Sequence, residues 1–191
     1  MYHDLLEKGY AALRRGDPEA ARVRFQHAIE AEPERPQGYF GLAQTYIDQN
    51  VGGEVEVIEA LEKALEVDPH YVPARAFLGI ELLKRYDTHG AEEELQRALE
   101  EEPTNLLAHV KYAEYYYRLG FYNRAVEMLE QGLQGPHGAN EHVVALARRF
   151  LIEARLKCRA IIIREPPDPR PLRLMRLFSR FKPTKKVTET A

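Results

Sequence analysis

The chain has 191 residues, 45% hydrophobic and 30% charged, with a net charge of −3, which is enough apolar material for one soluble, elongated core. A single cysteine excludes an internal disulfide. The opening residues, MYHDLLEKGY, carry an acid and lack a long apolar run, so neither a secretory signal nor a membrane span is expected, and a cytoplasmic setting is.

Taken in order, a first helix is predicted from near Met1 to Arg15, ended by Gly16, which can take the left-handed geometry of a helix C-terminus. Asp17 and Pro18 open the second helix, because an aspartate can cap a free amide and proline lacks one. Pro36 and Pro73 open later helices in the same way. The clearest unit runs from Val72 to Asn105. Its first apolar stripe is Leu78, Gly79, Leu82 and Leu83, and its second is Ala91, Leu95, Ala98 and Leu99; Thr88, His89 and Gly90 interrupt them and Pro103 stops the second. Neither stripe can be buried by its partner alone, so a unit of this kind needs stacked neighbours.

The neighbours are present. Gly9, Ala43, Gly79 and Ala113 stand 34, 36 and 34 residues apart, and Ala28, Ala64, Ala98 and Gly132 stand 36, 34 and 34 apart. The two extra residues fall around Asn50, Val51, Gly52 and Gly53, where glycine eases an insertion. Ala21, Val57, Ala91 and Ala125, then Phe25, Leu61, Leu95 and Leu129, then Pro33, Pro69 and Pro103 keep the same register. Four repeats are expected, at about 2–35, 36–71, 72–105 and 106–135. The glutamates of the third, Glu92, Glu93, Glu94, Glu100, Glu101 and Glu102, read as a solvated outer face and not as a cation site, since oxygen ligands must converge.

After the fourth repeat, Gly135, Pro136, His137, Gly138 and Ala139 form a loop, and Asn140 caps a helix predicted over 140–164. Val143, Ala147, Phe150, Leu151, Ala154, Cys158 and Ile161 share one face of it, as a capping helix over the last repeat requires. Cys158 is read as packing. No phosphate-cradling glycine loop, nucleophile elbow, HExxH or Cys-x-x-Cys occurs, so the chain is read as no enzyme and needing no cofactor. His137 and His142 flank Glu141 across a loop and a helix start, which implies no metal site.

Residues 165–191 form a separate tail. Pro166, Pro167, Pro169 and Pro171 stiffen its start. From Arg164 onward there are eight Lys or Arg against three Asp or Glu, net +5, whereas the rest of the chain has 19 against 27, net −8. Leu174, Met175, Leu177, Phe178 and Phe181 fall on one helical arc and Arg173, Arg176 and Arg180 on another, which makes a short basic amphipathic segment, too short for a stable helix by itself. An anionic membrane surface, the chain's own groove or that of a second copy, nucleic acid and plain disorder compete for it; the acidity of the body opposes nucleic acid.

The repeat pattern resembles the tetratricopeptide repeat family, whose 34-residue unit carries W-x2-L-G-x2-Y, A-x3-F and P, over roughly the first seven-tenths of the chain. The first repeat supplies Gly9, Ala21, Phe25, Ala28 and Pro33; the second Tyr39, Leu42, Ala43, Tyr46, Leu61, Ala64 and Pro69; the fourth Tyr112, Ala113, Tyr116, Gly120, Ala125 and Leu129. Tryptophan is absent, Lys8 replaces a leucine, and the fourth repeat lacks its proline. The resemblance implies an all-α, right-handed solenoid of antiparallel helix pairs whose first helices line a concave surface. The matching positions are Leu6, Tyr10, Leu13 and Arg14; Phe40, Gln44, Ile47 and Asp48; Ala76, Ile80, Leu83 and Lys84; and Val110, Glu114, Tyr117 and Arg118. They describe an apolar and aromatic groove with sparse charge, suited to a partner peptide or helix. Family co-chaperones grip a terminal carboxylate with lysine, asparagine and arginine; here the matching positions hold Leu6, Tyr10, Gly41, Pro73 and Phe77, so no EEVD-type clamp is expected. The expected function is a protein-binding scaffold or adaptor. A peripheral membrane assembly factor anchored by Arg173, Arg176, Leu177, Phe178, Arg180 and Phe181, and an accessory subunit of an enzyme complex, are the alternatives.

Overall fold

The computed structural model describes residues 1–49, 54–135 and 141–164. Among them nine helices follow in order: α1 Tyr2–Arg14, α2 Pro18–Ala31, α3 Pro36–Gln49, α4 Glu54–Val67, α5 Val72–Lys84, α6 Thr88–Glu101, α7 Leu106–Arg118, α8 Tyr122–Gln134 and α9 Glu141–Arg164. They form the expected all-α solenoid of antiparallel pairs, α1 with α2, α3 with α4, α5 with α6 and α7 with α8, and α9 lies across α8 and α7. No described helix is long and apolar enough to cross a membrane.

The helix starts follow from side-chain caps. The Asp17 carboxylate accepts from the Ala20 amide at 3.1 Å, Asp87 from the Gly90 amide at 2.9 Å, and Asn105 from the Ala108 amide at 3.1 Å, each satisfying one of the amides that a first turn leaves open. Asp87 corrects one expectation. Thr88, His89 and Gly90 are not the interruption between stripes but the first turn of α6, because the cap sits one residue before them. The break is at Arg85, Tyr86 and Asp87. Gly16 and Gly120 close α1 and α7 with φ of 73° and 85°, as glycine readily does. Tyr86, one period before Gly120, takes the same step at φ 64°.

Phe25, Leu61, Leu95 and Leu129 are the large side chains sealed inside the four pairs, flanked by Ala21 and Ala28, Val57 and Ala64, Ala91 and Ala98, and Ala125. Small residues on the facing helices make room for them. A Cβ added at Gly9 or Gly41 would come within 3.0 Å of the Phe25 ring, so these two glycines are what lets α1 and α3 close over α2. Burying each such side chain contributes roughly 1.5–3 kcal/mol.

The acidic face of α6 is also corrected. Glu94 and Glu101 turn inward onto Arg75, at 2.6 and 3.4 Å, and the same guanidinium donates to the Pro69 carbonyl. Glu92 accepts from the hydroxyls of Tyr112 and Tyr115 at 3.4 and 3.5 Å. Only Glu93, Glu100 and Glu102 remain on an exposed surface. One period after Arg75, His109 is buried and its Nε2 lies 2.9 Å from the Pro103 carbonyl. Both side chains tie a first helix to the proline-bearing connection before it.

Candidate functional site

The residues expected to line the groove separate into two classes. Leu6, Phe40, Ala76, Ile80 and Leu83 are buried and hold neighbouring helices together: Leu6 packs with Phe25, Phe40 meets Tyr71 and Phe77 edge-on at 5.7 and 5.2 Å, and Ile80 and Leu83 sit in the central cluster with Leu95. Tyr10 is half-buried with its ring 5.0 Å from Phe25, and burial pushes its hydroxyl up to about 12. Leu13, Gln44 and Ile47 are half-buried, Arg14 is exposed, and the Lys84 ammonium donates to both Glu81 oxygens at 2.7 and 2.9 Å. The Asp48 side chain and the tail residues Arg173, Arg176, Leu177, Phe178, Arg180 and Phe181 lie outside the described residues, as do Asn140 and His137. The apolar members of the predicted groove are therefore largely core, because first helices must fill the space between successive second helices before they can offer anything to a ligand.

The second class comes from α7. Val110, Glu114, Tyr117 and Arg118, all expected, line a pocket of about 550 Å³ together with Lys111 and, from α9, Leu146, Arg149, Phe150 and Glu153. Glu114 is held between Lys111 at 3.0 Å and Arg118 at 2.7 Å. Burial works to raise its carboxyl, and the two cations outweigh that and hold it below the usual carboxylate range. The Tyr117 hydroxyl donates to Glu153 at 2.6 Å; that bond first, and burial second, push the phenol up to about 12. Its ring meets Phe150 and Tyr122 edge-on at 5.2 and 5.1 Å. Arg149 is exposed at the pocket and takes no hydrogen bond or ion pair from another described residue.

The α9 wall was missed in the sequence. The face Val143, Ala147, Phe150, Leu151 and Ala154 packs toward α7 and α8 as expected, but Leu146, Arg149 and Glu153 sit on the neighbouring arc. Their spacing of three and four residues next to the apolar stripe was the readable sign of a second wall. The pocket is thus mixed: an aromatic floor, two cations that share the single carboxylate of Glu114, a carboxylate held by Tyr117, and one cation, Arg149, with no partner among the described residues.

Models of the tetratricopeptide repeat match residues 6–55 and 82–150. Among curated relatives, mouse interferon-induced protein with tetratricopeptide repeats 3 is 27% identical over 129 residues, 67% of this chain and 32% of the relative, and the Chinese hamster (Cricetulus griseus) interferon-induced protein with tetratricopeptide repeats 2 is 26% identical over 131 residues, covering 67% and 28%. The chain spans about a third of the length of these relatives. Among solved structures, the APC/C hetero-tetramer Cut9–Hcn1 superposes with a TM-score of 0.64 at 19% identity, over 81% of this chain and 30% of that one. The first TPR of Spaghetti (RPAP3) bound to the HSP90 peptide SRMEEVD superposes with a TM-score of 0.56 at 20% identity, over 62% and 95%.

Proposed function

Because the chain is a tetratricopeptide repeat protein, we propose that it is a protein-interaction scaffold whose reading site is the pocket between α7 and α9, and that it takes a peptide presenting an acidic side chain beside an apolar one. The observation that carries this reading is Arg149, a guanidinium without a partner among the described residues, set at the rim of a pocket walled by Tyr117 and Phe150. An acidic side chain would give Arg149 the charge-assisted bond it lacks, and an apolar neighbour would cover the two rings. Tyr10, Leu13, Arg14, Gln44, Ile47 and Lys84 extend the same binding face toward the N-terminal repeats.

The HSP90 peptide of the Spaghetti complex supports peptide recognition as a mode of this fold, yet its terminal carboxylate has no counterpart grip here. Leu6, Tyr10, Gly41, Pro73 and Phe77 supply no cation, and Leu6 and Gly41 are buried. The test is titration of the full chain with synthetic peptides that pair Asp or Glu with Leu or Phe, each made with a free and an amidated C-terminus. Binding is expected to require the internal acid, to ignore the terminal carboxylate, and to weaken about tenfold in Arg149→Glu, a loss of about 1.4 kcal/mol. Binding that needs the free C-terminus, or that Arg149→Glu leaves unchanged, overturns the reading.

A further inference from the structure

The last described helix, α9, carries apolar residues on two sides, and among the described residues only one side is covered. Ala147 and Ala154 are fully buried against the solenoid. On the opposite side Ile152 and Leu156, one turn apart, stay 61% and 59% exposed. Arg148 and Arg159 border that second stripe, exposed and with no partner among the described residues, whereas the nearby Arg155 is engaged by Glu130 at 2.6 Å. A helix that only closed the solenoid would turn a polar surface outward.

A second surface, far along the chain, has the opposite character. Between α2, α3 and α4 lies a groove of about 460 Å³ whose floor includes Ile29, Leu42, Tyr39 and Tyr46, and whose rim is the acidic row of α4. Of that row Glu66 is answered by Lys63 at 2.5 Å. Glu56, Glu59 and Glu62 have no hydrogen bond or ion pair among the described residues. An apolar floor under an unneutralised carboxylate row fits an apolar ridge with cations beside it.

We propose that the chain associates head to tail with a second copy of itself, the outer face of α9 on one copy seating in the α4 groove of the next. The chemistry is complementary on each count. Ile152 and Leu156 face the tyrosine and aliphatic floor, and Arg148 and Arg159 flank the carboxylate row of Glu56, Glu59 and Glu62. At 1.5 Å per residue Arg148 and Arg159 stand about 17 Å apart and the unpaired carboxylates from Glu56 to Glu62 span about 9 Å, so the two long side chains close on the row from its two ends. Charge along the chain is divided in the same sense. Residues 1–140 hold 14 Lys or Arg against 25 Asp or Glu, net −11, and residues 141–191 hold 13 against 5, net +8. The two surfaces are different patches of one molecule, so the contact is heterologous and can pass from copy to copy.

The test is sedimentation velocity with light scattering on the full chain as concentration is raised through the micromolar range, at low and at high salt. At low salt the average mass is expected to rise to at least twice the 22.0 kDa of one chain, and to return to one chain at high salt, where the screening length falls to a few ångströms. Arg148→Glu with Arg159→Glu, and separately Glu59→Arg with Glu62→Arg, are each expected to hold the mass at one chain. Mixing the two variants is expected to restore assembly, since each then supplies the surface that the other has lost. All four positions are exposed, and unchanged circular dichroism melting of each variant keeps folding out of the result. A single chain at every concentration overturns the proposal. So does assembly that survives the α9 pair but not the α4 pair, which would assign the groove to the basic tail, and assembly that survives both.

Discussion

The middle of the solenoid and its C-terminal end are built from the same repeat and use charge in opposite ways. In the α5–α6 pair, Arg75 is 11% exposed in its side chain and meets Glu94 and Glu101, at 17% and 22%, with the Pro69 carbonyl as a further acceptor. In the α7–α9 region, Arg118 is 46% exposed and braces Glu114 at the mouth of an open pocket. The middle pair has a repeat on either side, so its ions are enclosed and become part of the scaffold. At the end, the last described helix α9 leaves a pocket against α7, and although Lys111 and Glu114 are as enclosed as Glu94 and Glu101, Arg118 stays open to solvent. Position in the stack, more than residue type, decides which charges hold the fold and which can meet a partner.

The sharpest way to break that comparison is to truncate one leucine in each region. Leu95 is fully buried with Gly79 of the facing helix closed over it, and Leu95→Ala is expected to cost about 3–4 kcal/mol, the transfer loss plus an unfilled cavity. Leu146 is 51% exposed at the pocket, and Leu146→Ala is expected to cost under about 0.5 kcal/mol. Urea unfolding midpoints followed by circular dichroism give both numbers. Equal losses would mean that the end of the solenoid is as tightly closed as its middle.

Charge comes next in size. Arg75→Ala strands two carboxylates in a mostly enclosed site, and the expected loss is about 2–3 kcal/mol, somewhat below that of a fully buried pair because Glu94 and Glu101 keep some solvent. Arg118→Ala removes an exposed partner from a carboxylate that retains Lys111, and the expected loss is under about 1 kcal/mol. A salt titration of the same unfolding curves separates the two further: the Arg118 effect should shrink as salt rises, and the Arg75 effect should not.

The helices and their register were legible in the sequence because a 34-residue period repeats the same small and large residues, and each recurrence constrains the others. Asp17, Pro18 and Gly16 act at the positions read for them. The Asp87 cap is the same device but is not legible in the same way, because the glycine three residues later reads as a break. The groove was the least legible part. Periodicity places Phe40, Ile80 and Leu83 on the first helices, but it cannot separate the arc that faces a ligand from the arc that faces the next pair, since both are apolar and adjoin. The contribution of α9 falls outside the repeat, so no period announces Leu146, Arg149 or Glu153. The inward turn of Glu94 and Glu101 is hidden by their acidic neighbours, and its sign is Arg75, the one arginine of α5, set in an apolar run that extends from Val72 to Ile80.

The finest comparison is between two turns, one in each region. Tyr86 and Gly120 occupy equivalent steps, at φ 64° and 85°, and nothing lies within 4 Å of a Cβ built at Gly120, so backbone conformation alone distinguishes the residues that fit there. Tyr86 is 92% exposed and gains no burial to offset the left-handed geometry, which costs a residue with a side chain about 1–2 kcal/mol. Tyr86→Gly removes that cost and returns about 0.4–1 kcal/mol of chain freedom to the unfolded state. The expected result is a net gain of about 0.5–1 kcal/mol, and Gly120→Tyr should lose a similar amount, both read as shifts in the urea midpoint at constant slope. A loss of stability in Tyr86→Gly would show that the tyrosine ring contributes to the fold despite its exposure, and the turn in the middle of the solenoid would then be held by something the one at the end lacks.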